Sequence, residues 1–103
     1  MANLGSELAK GLPLLTDLIV EETNRTKRAK LKKVYRKLSA ELRRLVEKNV
    51  RRNTIEYRKA TAALAKANAA MRAAKRDLAK VAATITRLSK AADLIGKVAA
   101  MAV

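Results

Sequence analysis

Apolar residues recur every seven positions along the C-terminal half of the chain. Taking Tyr57, Leu64, Met71, Leu78, Ile85, Ala92 and Ala99 as the first apolar position of each heptad places Ala60, Ala67, Ala74, Val81, Leu88, Ile95 and Ala102 at the second, and no charge enters the seam. The pattern predicts a long heptad helix over about 54–101, with Leu64, Met71, Leu78, Val81, Ile85 and Leu88 buried against another helix. A seven-residue period held this long implies a left-handed supercoil. The small side chains of Ala60, Ala67 and Ala74 would let the partner helix approach closely, and a charge at Leu78 would fall in the core.

The preceding stretch carries a similar seam in another frame, with Leu31, Tyr35, Leu38, Leu42 and Leu45 on one stripe. Extended forward, that frame meets Asn49, Arg52 and Glu56, so the register slips near 46–53. Within RRNTIEY, Asn53 followed by Glu56 has the spacing of a capping box, which predicts a break near 52–54. Further back, Pro13 fits the first turn of a short helix over about 13–22, and Thr23, Asn24 and Thr26 offer caps for a second over about 26–51. The expected fold is all-α, an elongated antiparallel helical hairpin or coiled coil in which residues 6–52 lie against 54–102. Leu14, Leu15, Leu18 and Ile19 would then face Leu88, Ala92 and Ile95. The rival topology is an unbroken helix from about 26 to 102 that finds its partner in a second copy, a homo-oligomer through the heptad seam.

Composition favours helices over a bulky core. Of 103 residues 21 are Ala, Tyr35 and Tyr57 are the only aromatics, and Gly and Pro are scarce. The chain reads as a single helical domain with an acidic and apolar segment at 1–24, a basic helix at 25–52 and an Ala-rich heptad helix at 54–102. Without Cys or His, disulfides and imidazole chemistry are excluded, and neither a metal site nor a cofactor is expected. Ser6, Ser39 and Ser89 have no neighbouring base, the three glycines form no phosphate loop, and the carboxylates stand singly. No catalytic residue, and no enzyme, is expected. Lys10 and Asp17 interrupt the N-terminal apolar run, so it makes a poor signal peptide, and no uncharged apolar window reaches membrane-spanning length. A cytoplasmic protein, or one carried within a virus particle, is the expectation.

Charge alters this picture more than composition does. The net charge of +15 is concentrated in the middle third, where RTKRAKLKKVYRK (25–37) holds eight Lys/Arg and no acid. Solvation alone would be served by mixed signs, so Arg25, Lys27, Arg28, Lys30, Lys32, Lys33, Arg36, Lys37, Arg43 and Arg44 are the candidate site, a positive surface around the apolar stripe. Lys59, Lys66, Lys80 and Arg87 form a sparser strip on the heptad helix, read as a solvated exterior. Nucleic acid, DNA or RNA, is the expected partner. With both tyrosines in seam positions there is no stacking platform and no base-reading motif, so binding would be phosphate-led and weakly selective. The alternative is an assembly or adaptor protein, such as a subunit of a virus particle or filament, docking an acidic protein. An anionic membrane surface is less favoured, because the apolar stripe is used by the coiled coil and holds no Trp or Phe.

Overall fold

The computed structural model describes residues 4–47 and 54–101. Four α-helices account for nearly all of them: α1 (Leu4–Glu21), α2 (Arg25–Glu47), α3 (Ile55–Arg76) and α4 (Val81–Met101), with a 3-10 turn (Leu78–Lys80) before the last. No strand occurs among the described residues. The all-α expectation holds, but the helices form a bundle of 41 × 22 × 18 Å in place of one long hairpin.

The heptad helix expected over 54–101 is cut in two. Asp77 takes an extended conformation (φ −146°, ψ 98°), its N–H bonds back to the carbonyls of Ala73 and Ala74, and its side chain accepts from the N–H of Ala79. One residue thus closes α3 and caps the next turn, as Asp favours. Lys75 and Arg76 in the last turn of α3 suit the negative end of its dipole. The seam survives the reversal because each half still turns it inward. Tyr57, Ala60, Leu64, Ala67, Met71 and Ala74 are buried on α3, as are Val81, Leu88, Ala92, Ile95 and Ala99 on α4. The exceptions among the described residues are Leu78, exposed in the turn, and Ile85, half-buried, and Ala102 lies outside the described residues. The seam is therefore filled within one chain.

α1 also departs from expectation, running from Leu4 with Pro13 inside it. Pro13 is exposed, and so is Ala9, whose carbonyl loses the bond Pro cannot make and is left to water. At the N-terminus the N–H of Leu4 donates to the Tyr57 hydroxyl at 3.0 Å, which satisfies an unpaired helix donor and the polar tip of a buried ring. At the other end a three-residue turn leads into α2. There the side chain of Asn24 accepts from the N–H of Lys27, making Asn24 the cap among the three candidates.

α1 and α2 pack side by side, as do α3 and α4; α1 lies on α3 and α2 on α4, while across each diagonal no Cα atoms come within 8 Å. Both cross-hairpin pairs are parallel. Leu4 meets Tyr57, Glu7 meets Asn68 and Asp17 meets Lys75, rising together along α1 and α3, and Lys37 meets Asp93 on the other side. The expected antiparallel pairing of 6–52 with 54–102 is not what forms, and α1, with Leu14, Leu15, Leu18 and Ile19, packs along α2 and α3 and not along α4. The reason lies at Asp77: once the chain turns there, α4 runs down beside α3 and meets α2. α3 is capped by Thr54, whose hydroxyl accepts from the N–H of Tyr57. Asn53, most of the register slip near 46–53 and the end of the helix expected to reach 51 fall on residues 48–53, outside the described residues.

One apolar cluster draws on all four helices, with Leu4, Leu8, Leu15, Leu18, Leu31, Leu38, Leu64, Met71, Leu88 and Ile95 as its bulk. A polar contact is set into it between α1 and α3. The Nδ2 of Asn68 donates to the carbonyl and to Oε2 of Glu7, at 3.0 and 2.8 Å. Its Oδ1 would lie 2.5 Å from a Cβ at Gly11, so the helices meet this closely only because Gly11 has no side chain.

Candidate nucleic-acid interface

α2 stands at a corner of the bundle, and its apolar stripe decides what the rest of it can do. Leu31, Val34, Leu38 and Glu41 are buried toward the core, which leaves about half of the helix circumference to ten Lys/Arg. At 3.6 residues per turn the outward cations form two rows. Arg25, Lys32, Arg36 and Arg43 lie on the flank nearer α1; Lys30, Lys33, Lys37 and Arg44 lie on the flank nearer α4. Exposed Ala29 and Ala40 sit between them. The first row runs for about 27 Å at 1.5 Å per residue.

The ten candidate residues do not share one role. Arg25, Lys30, Lys32, Lys33, Arg36 and Arg43 are exposed and make no ion pair among the described residues. Lys37 is bonded to Asp93 of α4 at 2.7 Å, and Arg44 reaches both carboxylate oxygens of buried Glu41 at 3.2 Å. The hydrogen bond from Lys37 holds the Asp93 carboxyl below its ordinary value, its charge adds to this, and Lys97 contributes further. Arg28 turns back on the preceding helix. Its Nε donates to the Ile19 carbonyl at 3.0 Å and its Nη2 to the Val20 carbonyl at 3.3 Å, so it caps the end of α1. Lys27 is half-buried beside the Asn24 cap. Six cations face outward unpaired, Arg28, Lys37 and Arg44 are tied to the fold by their side chains, and Lys27 is half-buried.

Between α2 and α4 an open groove of about 480 Å³ has Lys30, Lys33 and Lys37 on one wall, Thr86 and Ser89 on the other, and Val34, Ile85 and Ala92 as its floor. It continues past Lys30 and Thr86 into a second hollow of about 420 Å³ that reaches Asn24 and Thr26. The part played by α4 here was not visible in the sequence, because Thr86 and Ser89 stand more than fifty residues from Lys33 and neither belongs to a motif. Tyr57 is buried and bonded to Leu4, and Tyr35 is packed half-buried against the core, so neither ring is presented for stacking. The strip of Lys59, Lys66, Lys80 and Arg87 is divided, with two residues on α3, one in the turn and one on α4.

No helix among the described residues is long and apolar enough to cross a membrane. No family model matches the chain, and neither the curated proteins nor the solved structures give a match.

Proposed function

We propose that this is a non-enzymatic protein that binds nucleic acid through its phosphates, with little sequence selectivity, using the outer face of α2. The observation that carries the reading is the set of six unpaired cations, Arg25, Lys30, Lys32, Lys33, Arg36 and Arg43, in two rows on a rigid helix. Cations so placed, with few acids among them, displace counterions from a polyanion. The absence of an outward aromatic among the described residues of α2 fits backbone contact better than base stacking.

Replacing Lys30, Lys32, Lys33 and Arg36 with Gln keeps good helix formers while removing four charges. The plot of log K against log salt for duplex DNA should flatten by about 0.9 for each phosphate that is no longer neutralised. Salt-insensitive binding by the wild-type protein, or an unchanged slope in the variant, would refute the reading.

A second reading, an acidic protein partner, is favoured by the groove. Its apolar floor of Val34, Ile85 and Ala92 beneath Lys30 and Lys33 suits an acidic amphipathic helix more than a phosphate chain. Nuclease treatment separates the two, since a protein partner stays bound after nucleic acid is digested.

A further inference from the structure

α3 stands at the corner diagonally opposite α2, with no Cα atoms of the two helices within 8 Å of each other. It holds six Lys/Arg against Glu56 alone. Lys75 pairs with Asp17 at 2.9 Å, while Arg58, Lys59, Lys66, Arg72 and Arg76 are exposed and make no ion pair among the described residues. Exposed Ala62 and Ala69 lie between them, as Ala29 and Ala40 do on α2. From Arg58 to Arg76 is the same eighteen-residue step as from Arg25 to Arg43, about 27 Å of helix.

The geometry points to a second phosphate-binding face on α3 and, resting on the reading of α2 given above, to a protein that bridges two nucleic-acid duplexes. Two physical quantities support this. A duplex carries one charge per about 1.7 Å, so roughly sixteen lie along about 27 Å of it on all sides, and a single face of five or six cations leaves its duplex far from neutralised. The body between the faces measures 22 × 18 Å in section. That is more than two Debye lengths of about 8 Å at physiological salt, so duplexes held on opposite faces scarcely repel each other. The buried side of each helix belongs to the core, so each cationic face can only point outward, and away from the other.

The test is capture of a labelled 30-base-pair duplex by the full-length protein bound to a bead-held duplex. The wild-type protein should capture the second duplex at low occupancy and release it in protein excess, when every duplex carries its own coat. The variant Arg58→Gln, Lys59→Gln, Lys66→Gln, Arg72→Gln should still bind one duplex with less than a tenfold loss of affinity while capture falls at least tenfold. The lighter pair Lys66→Gln, Arg72→Gln should show an intermediate loss, with circular dichroism confirming helix content. Capture by the quadruple variant at the wild-type level overturns the inference, as does wild-type protein that binds one duplex and never recruits another. If the wild-type protein binds no duplex even at low salt, it is the reading of α2 that fails, and bridging falls with it.

Discussion

α2 and α3 turn similar faces to solvent but reach the core by opposite means. α2 buries large side chains in succession, Leu31, Val34 and Leu38, whereas α3 alternates Tyr57, Leu64 and Met71 with Ala60, Ala67 and Ala74. The difference follows from what each helix must overcome. On α2 the like charges Arg28 and Lys32, Lys32 and Arg36, and Lys33 and Lys37 stand four residues apart, a spacing that disfavours an isolated helix. It is held helical by its large apolar anchors and by α1 and α4. α3 is Ala-rich and more sparsely charged, so its backbone favours the helix locally, and its small seam serves close approach instead. Charge density at one corner is thus tied to apolar bulk beneath it.

The core should therefore be sensitive to opposite changes at the two corners, to loss of volume on α2 and to gain of volume on α3. Leu38→Ala on α2 is expected to cost about 2–5 kcal/mol, the range for a buried leucine whose cavity does not collapse. Ala67→Leu on α3 should cost about 1–3 kcal/mol by overpacking a helix contact that has no spare room. Denaturant melts of the two variants check this. A harmless Ala67→Leu would show that the α3 seam is not tightly packed.

Leu78 marks the limit of what periodicity reveals. The heptad phase correctly names the inward residues on both sides of the turn, because an inward face is all that period records, and it carries no information on whether the chain continues or doubles back. The signal for reversal was local and short: the basic pair Lys75 and Arg76 followed by Asp77, a dipole-matched end and a capping residue without Gly or Pro. Pro13 misled in the other direction. It read as a helix boundary, but it faces water inside α1, while Gly11 two residues before it admits Asn68, contacts that belong to tertiary structure. At the interface, the rows of α2 were legible because all their charges are contiguous. The tying-down of Lys37 by Asp93 and of Arg28 by the end of α1 was not, since those partners come from other helices. Of the α3 face, Lys59 and Lys66 read as solvated exterior, because nothing in the sequence places α3 diagonally opposite α2.

Two smaller effects sharpen the contrast between packing and turn. Gly11→Ala gains about 1 kcal/mol in helix propensity but drives a methyl against the Asn68 side chain, which its bonds to Glu7 hold in place. A net loss of about 1 kcal/mol is expected, given the usual cost of overpacking. Asp77→Ala should also cost about 1 kcal/mol through the lost cap. Leu78→Asp beside it should cost no more than about 1 kcal/mol, because Leu78 is 37% exposed in the turn and does not sit in the core. Thermal melts of the three compare them directly. If Leu78→Asp were the most damaging, the helix would run on through 77 and the bundle would be wrong.

The smallest effect concerns Asp93, which takes Lys37 out of the α2 row and sets a carboxylate at the edge of the groove. Asp93→Asn removes that negative charge and frees the ammonium for phosphate, so the salt slope for duplex DNA at pH 7 should steepen by up to about 0.9. No matching gain is available on α3 except at Lys75, whose partner Asp17 belongs to α1. The pH dependence follows from the direction of the Asp93 shift. Hydrogen bonding by Lys37 lowers its folded value below the ordinary 3.8, so what the pair adds to stability is present above that value and is lost as the pH falls through the lowered one. Both partners are largely exposed, so the change should be slight. Stability curves of wild type and Asp93→Asn should therefore run parallel, a small step apart, at neutral pH and converge only below about pH 4. Convergence already at pH 6 would mean that another group governs the contact.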